Sequence, residues 1–264
     1  MSENQESLVL YTVKEKAAWL TINRPQRLNA LNIPTLKALV KHLERANEDP
    51  AVRAVVITGE GTKAFCAGAD IDSFYNESQG SISEHEFREQ LLALFSTLMQ
   101  LNKPTIARVN GYALGGGFGL AMGCDLVVTT SSAQFGTPEV NIGLFPMMIM
   151  PVLQRSIGRK KLLEMMYTGD KIRGDEALEL GMVNYAVSVD QLDQTVNELL
   201  RKMTAKSQMI YKLGREAFYT MADQSLPEAL DYLKGMLSKN LHTADAKEGL
   251  QAFLEKRKPE WTDQ

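Results

Sequence analysis

Residues 110–125 read NGYALGGGFGLAMGCD, six glycines in a stretch whose Leu114, Phe118, Leu120, Ala121 and Met122 are otherwise spaced as in a helix. A glycine inside a helix costs about 1 kcal/mol against alanine, so a gain in packing or binding has to offset the loss. Gly111 closes a strand and Gly115-Gly116-Gly117 opens the helix, where the first amides have no intrahelical partner. Such amides form an anion site, and a backbone without Cβ atoms approaches a ligand closely enough to hold either a phosphate or a developing oxyanion. Gly115, Gly119 and Gly123 also recur every four residues, which leaves one helical face bare for close packing against a sheet or another helix. The segment spells neither G-x-G-x-x-G nor G-x-x-x-x-G-K-[ST], which sets aside dinucleotide and nucleoside triphosphate binding.

Outward from this stretch the pattern is layered. Residues 8–13 and 17–23 are β-rich runs around the charged turn Lys14-Glu15-Lys16 and predict a hairpin. Leu36, Leu39, Val40 and Leu43 predict a helix over 34–48, with Pro34 in its first turn. Continuous apolar runs at 54–58, 105–109 and 126–129 read as strands buried on both faces, with a helix at about 83–101 between the first two. Strand and helix alternating in this order imply an α/β core with right-handed crossovers. Beyond Pro151 helices follow one another at 159–167, 174–180, 189–205, 208–221, 226–240 and 244–256, and their apolar faces must be covered by their own core or by another subunit.

Composition narrows the function classes. The 264 residues suit one domain, or a domain with a helical extension, and 44% hydrophobic with 23% charged residues is a globular composition. A net charge of −3 supplies no reason to expect nucleic acid or an anionic membrane as partner. Two cysteines, Cys66 and Cys124, make neither a disulfide framework nor a metal-ligand pattern. The polar start MSENQE and the lack of a long apolar run point to a cytoplasmic protein, a processed organellar form being the alternative.

Two further stretches carry candidate chemistry. Ala64-Phe65-Cys66-Ala67-Gly68-Ala69-Asp70 follows the strand at 54–58 much as the glycines follow 105–109. Two such turns at the ends of neighbouring strands are able to aim two N–H groups at one carbonyl oxygen. Downstream, Phe135-Gly136-Thr137-Pro138-Glu139 presents a carboxylate beside the apolar run from Ile142 to Met150. Apolar surroundings raise a carboxyl pKa and suit proton transfer, whereas a solvated loop residue would keep an ordinary one. Asp70 is read as ordering its turn, and Met147, Met148 and Met150 as core or as an adaptable pocket lining. His42, His85 and His242 lie outside these motifs and receive no role, and Cys66 has no histidine signature beside it to make it a nucleophile.

Assembled, the motifs resemble the crotonase superfamily, also called the enoyl-CoA hydratase/isomerase family. The likeness runs through NRPQRLNAL at 23–31, AFCAGADI at 64–71, NGYALGGGFGLAMGCD at 110–125, AQFGTPE at 133–139, TGDKI at 168–172 and EGLQAFLEKRKPEW at 248–261. The resemblance implies a repeated ββα spiral core over residues 1–200 and a helical C-terminal region, 201–264, that forms trimers or pairs of trimers. It implies an acyl-CoA thioester substrate, with coenzyme A a part of that substrate and no separate cofactor. By position in the motifs, Ala69 and Gly116 would supply two oxyanion-hole amides, with Gly115 shaping the turn. Arg27, Leu28, Ala67, Asp70, Ile71 and Met147 would line the substrate, and Lys256 would stand near the CoA phosphates unless it is simply a solvated helix end. Asp72 stands where many members carry a lysine.

The most informative departure is catalytic. Hydratases of the family carry two glutamates; the first position is Gly119 here and the second is Glu139. Adding water to a conjugated double bond needs a group to deprotonate the water and a proton source for carbon, whereas moving the double bond needs one base that takes a proton and returns it. A single Glu139 therefore favours enoyl-CoA isomerisation. One-carboxylate hydration and a non-catalytic acyl-CoA-binding protein are the alternatives.

Overall fold

A computed structural model of the chain describes residues 8–71 and 81–264. Asp72 lies outside the described residues. Strands β1 (Val9–Lys14) and β2 (Ala17–Ile22) form the expected hairpin, and Glu15 and Lys16 take φ of 48° and 64°, the two left-handed positions of a tight turn. Helix α1 (Ile33–Glu48) starts where the Asn32 side chain accepts from the Thr35 amide.

From there the chain repeats one unit. Strand β3 (Ala54–Gly59) is buried throughout; it turns into the short β4 (Ala64–Cys66), and α2 (Ser81–Gln100) follows. Then come β5 (Thr105–Val109), β6 (Tyr112–Leu114) and α3 (Gly116–Met122). The third pass is β7 (Leu126–Thr130), β8 (Gln134–Gly136) and a single 3-10 turn, Pro138–Ile142. After α4 (Met150–Leu153) and α5 (Arg159–Thr168), β9 (Lys171–Arg173), α6 (Gly174–Glu179) and β10 (Tyr185–Val187) complete the sheets.

The first strand of each unit joins a six-stranded sheet of order β1-β2-β3-β5-β7-β10, parallel except for the hairpin. The second joins a separate sheet of order β4-β6-β8-β9. This second sheet is absent from the local residue pattern and enters only with the ββα repeat that the resemblance implies. Gly111 does not lead directly to the glycine-rich helix; it forms the corner into β6, packed so closely that a Cβ would lie 2.2 Å from the Lys63 carbonyl. Three-residue strands are too short to show an alternation of their own.

The core lies between the sheets and helices α1 to α3. Phe65, Phe118 and Phe135, from β4, α3 and β8, are fully buried, and the rings of Phe118 and Phe135 are 5.6 Å apart. Each contributes about 1.5–3 kcal/mol by leaving water. The other face of the large sheet is covered by α7 (Leu192–Thr204), whose Leu192, Val196 and Leu200 pack on Ala54, Val56, Ile106 and Val128. That helix runs through residue 200, so the purely helical part begins with α8 (Gln208–Met221), α9 (Leu226–His242) and α10 (Ala244–Glu255). Leu226, Leu230, Leu237, Phe253 and Leu254 on α9 and α10 are exposed.

One polar cluster joins α8 to the core. Arg215, buried, donates to both carboxylate oxygens of Asp125 at 3.0 and 2.9 Å, to the Leu98 carbonyl at 3.1 Å and to that of Leu101 at the end of α2. Asp125 also accepts from the Thr105 amide and the Tyr219 hydroxyl, each at 2.7 Å. Removing one partner of such a pair leaves a charge without its counter-ion. Arg215→Ala is expected to cost about 3–5 kcal/mol of stability, read as a lower urea midpoint.

Candidate active site

Three adjacent strands of the small sheet end side by side. The parallel pairings Cys66 with Ala113 and Leu114 with Gly136 put the ends of β4, β6 and β8 in line. The residues just beyond them, Ala67–Asp70, Gly115–Gly116 and Pro138–Glu139, therefore gather at one edge. This is the carboxyl end of parallel strands, where α/β sheets present their sites.

The Ala69 turn is pinned by hydrogen bonds that leave its own amide unused. Leu31 donates to the Gly68 carbonyl at 2.7 Å and Asp70 donates back to Leu31 at 2.8 Å, so the bridge between Leu31 and Ala69 bypasses the Ala69 N–H. Gly116 opens α3 and its amide is one of the helix's orphan donors. The two turns lie side by side: a Cβ placed on Gly116 would lie 3.9 Å from the Ala69 nitrogen and 3.8 Å from the Gly68 Cα. Gly115 makes the junction, with φ of 50° and its N–H donating to the Gly136 carbonyl at 2.9 Å. Residues with a Cβ pay a strain penalty in that left-handed conformation.

Glu139 enters from the third strand. A Cβ on Gly115 would meet its Oε1 at 2.8 Å, so the carboxyl rests directly on the bare turn. Its Oε2 is buried and has no hydrogen-bond partner among the described residues. Burial raises the Glu139 pKa above the ordinary value, and a hydrogen bond from its own backbone pulls it partly back. A half-buried carboxyl of this kind is placed to accept and return a proton.

These groups open onto a cavity of about 470 Å³ lined by Ala67, Ala69, Ile71, Gly115, Gly116, Glu139 and Met147 among the expected residues. Phe87 and Leu91 of α2, with Phe145 and Ile149, add to its apolar wall, and Arg88 and Asn141 add polar lining. Four expected contacts are elsewhere. Asp70 is buried and faces away, ion-paired with Arg24 at 2.8 Å, so it orders the turn and does not line the cavity. Arg27 and Leu28 form a turn just outside, tied to it where the Ala67 amide donates to the Leu28 carbonyl at 3.0 Å. Lys256 caps α10 with φ of 55°, exposed and away from the cavity of its own chain.

Other residues stand as follows. Cys66 is fully buried and burial pushes its thiol up to about 12, which removes it as a nucleophile near neutral pH. His42 is buried against Tyr11 with ring centroids 5.2 Å apart, and His85 and His242 are exposed helix residues. Sequence reasoning missed the brace under the Ala69 turn. Arg24 also donates to the Ala30 carbonyl at 2.6 Å, and Asn29 donates to that of Ala64 at 2.8 Å. It also missed Phe87, Leu91 and Ile149 as wall residues, since nothing in their local pattern separates a pocket wall from core.

Comparison with known proteins agrees with the geometry. The family model described as Enoyl-CoA hydratase/isomerase matches residues 12–264. Crotonyl-CoA hydratase of Syntrophomonas wolfei is 38% identical over 251 residues, covering 95% of this chain and 96% of the relative. Short-chain-enoyl-CoA hydratase of Clostridium acetobutylicum is 36% identical over 253 residues, 96% of each chain. Among solved structures, an enoyl-CoA hydratase of Mycobacterium smegmatis superposes with a TM-score of 0.92 at 36% identity, covering 96% of this chain and 98% of that one.

The junction at Gly115 supplies a direct test of the arrangement. In Gly115→Ala the new methyl would both strain the turn and displace the Glu139 carboxyl. Turnover is expected to fall about 10²-fold, the usual effect of a 1 Å misplacement, while circular dichroism shows the fold retained.

Proposed function

The chain belongs to the enoyl-CoA hydratase/isomerase family, and on that premise we propose that it moves a carbon–carbon double bond within an enoyl-CoA thioester. The observation that carries this reading is the pairing of two unused amides on side-by-side turns with one half-buried carboxylate. The thioester oxygen accepts from the Ala69 and Gly116 N–H groups. Glu139 takes a proton from C2 of a 3-enoyl thioester, and the C–H electron pair enters a dienolate whose charge rests on that oxygen. The same proton returns at C4 and leaves the 2-enoyl product, so one carboxylate closes the cycle. Each oxyanion donor in such a site is worth about 10²–10³ in rate.

The pantetheine arm leaves between the Ala67–Ile71 turn and the turn at Arg27 and Leu28, which their shared hydrogen bond holds together. The exposed Lys256 is kept for the phosphate-bearing end of a molecule longer than the cavity. Asp70 acts here through Arg24 as a positioning residue.

Hydration is the second reading, favoured by the names of the relatives, crotonyl-CoA hydratase and short-chain-enoyl-CoA hydratase. It requires Glu139 to activate a water with no second carboxylate at position 119. Incubation with 2- and 3-enoyl-CoA thioesters, with both products followed by chromatography, separates the two. Isomerised product is expected to dominate, and Glu139→Gln to lower the rate at least about 10²-fold. The wild-type rate should climb with pH through a midpoint above the ordinary glutamate value of about 4.3, because only the ionised carboxylate accepts the proton and burial raises its pKa. Hydrated product alone would favour the second reading, and acyl-CoA binding without exchange of α-protons would remove both.

The apolar side chains exposed on α9 and α10 support assembly into a trimer or a pair of trimers. Sedimentation equilibrium is expected to return three or six times the 29.4 kDa chain mass, and a monomer would overturn this part of the reading.

A further inference from the structure

Gly115 is the N-cap of α3 and its carbonyl accepts from Gly119 N–H one turn further on, and each of the two glycines carries a side chain from another element on its bare Cα. Over Gly115 lies the Glu139 carboxyl. Over Gly119 lies Ile149: a Cβ there would be 2.4 Å from its Cγ2 and 2.9 Å from its Cβ, with the Phe95 ring at 3.1 Å. Ile149 and Glu139 thus cover glycines one helical turn apart, and both line the same cavity.

Ile149 is held firmly. It is 3% exposed, and its carbonyl accepts from the Leu153 amide at 2.9 Å and the Val152 amide at 3.1 Å. As a β-branched residue it has little rotamer freedom with which to withdraw. A water seated in a protein interior needs two to four polar partners. On the Gly119 side it would meet the Ile149 methyls, the Phe95 ring and a Gly119 N–H already bonded to the Gly115 carbonyl at 3.0 Å.

We infer that Ile149 is a specificity-determining residue: by filling the space over Gly119 next to Glu139 it denies a nucleophilic water its seat, so the proton Glu139 removes returns to carbon. The inference rests on Glu139 being the single proton carrier proposed above. It also assigns Gly119 a reason to be glycine, since a side chain there would need the volume that Ile149 occupies.

The test uses two variants of the full-length chain. Ile149→Thr keeps the branched shape and introduces a hydroxyl able to hold a water, and Ile149→Val removes a methylene without adding polarity. From one enoyl-CoA, the ratio of hydrated to isomerised product is expected to rise at least about tenfold in Ile149→Thr, a preference near 1.4 kcal/mol, and to stay within about twofold in Ile149→Val. The Glu139 carboxyl, followed by its infrared C=O band against a Glu139→Gln blank, is expected to titrate at lower pH in Ile149→Thr than in wild type. An unchanged ratio, an equal change in both variants, or a wild type that already makes mainly hydrated product overturns the inference. If the wild type makes neither product, the proposed function fails by itself, and the infrared titration then decides for Ile149, an unshifted midpoint overturning its role.

Discussion

Parallel pairing of three very short strands, β4, β6 and β8, is the constraint on which the site depends. Each has only three residues, so none holds a position without the others and the larger sheet behind them. Their register brings Ala69, Gly116 and Glu139 together from three separate passes of the chain. A slip of one residue would reverse the faces of a strand and move an amide or the carboxyl off the cavity. Phe135 in β8 is fully buried, which opposes such a slip there, while the β4–β6 pairing carries an irregularity between Ala64 and Cys66.

The site works by leaving polar groups unsatisfied. Among the described residues two amides have no acceptor and one carboxylate oxygen has no donor, and each such group carries a desolvation cost of about 1–3 kcal/mol when buried. That cost is met by the surrounding bonds, chiefly the Arg24 and Asn29 brace beneath the Ala69 turn and the Gly136 carbonyl beneath Gly115. Because the donors are already oriented, no reorganisation is needed as charge develops on a bound oxygen. The largely apolar lining acts on the same groups, since burial there raises the Glu139 pKa above the ordinary value.

The helices beyond residue 207 are tied to this arrangement through Arg215. It caps the carbonyls at the end of α2 and holds Asp125 at the start of β7. The other end of α2 supplies Phe87 and Leu91 to the cavity wall, and Phe95 between them and the cap presses on Gly119. One buried cation thus joins the C-terminal region, the pocket wall and the glycine helix.

Much of this was legible in residues 110–125 and their surroundings. Buried strands show as unbroken apolar runs, and glycines at a helix start announce a backbone site, because both signals are local and depend on what a side chain does to its own segment. Two similar turns after neighbouring strands suggested a pair of amides and an apolar run suggested a shifted carboxyl, but it was the resemblance to the family that put Ala69, Gly116 and Glu139 in those places. The second sheet was not legible in the local pattern and came only with the ββα repeat that the resemblance implies, since three-residue strands gain their hydrogen bonds from partners some 20 to 50 positions away. Nor was the turning of Asp70 toward Arg24, or the seat of Ile149 on Gly119. Those depend on which surfaces meet when the layers close, and the bare face of Gly119 is covered only because packing placed a branched side chain against it.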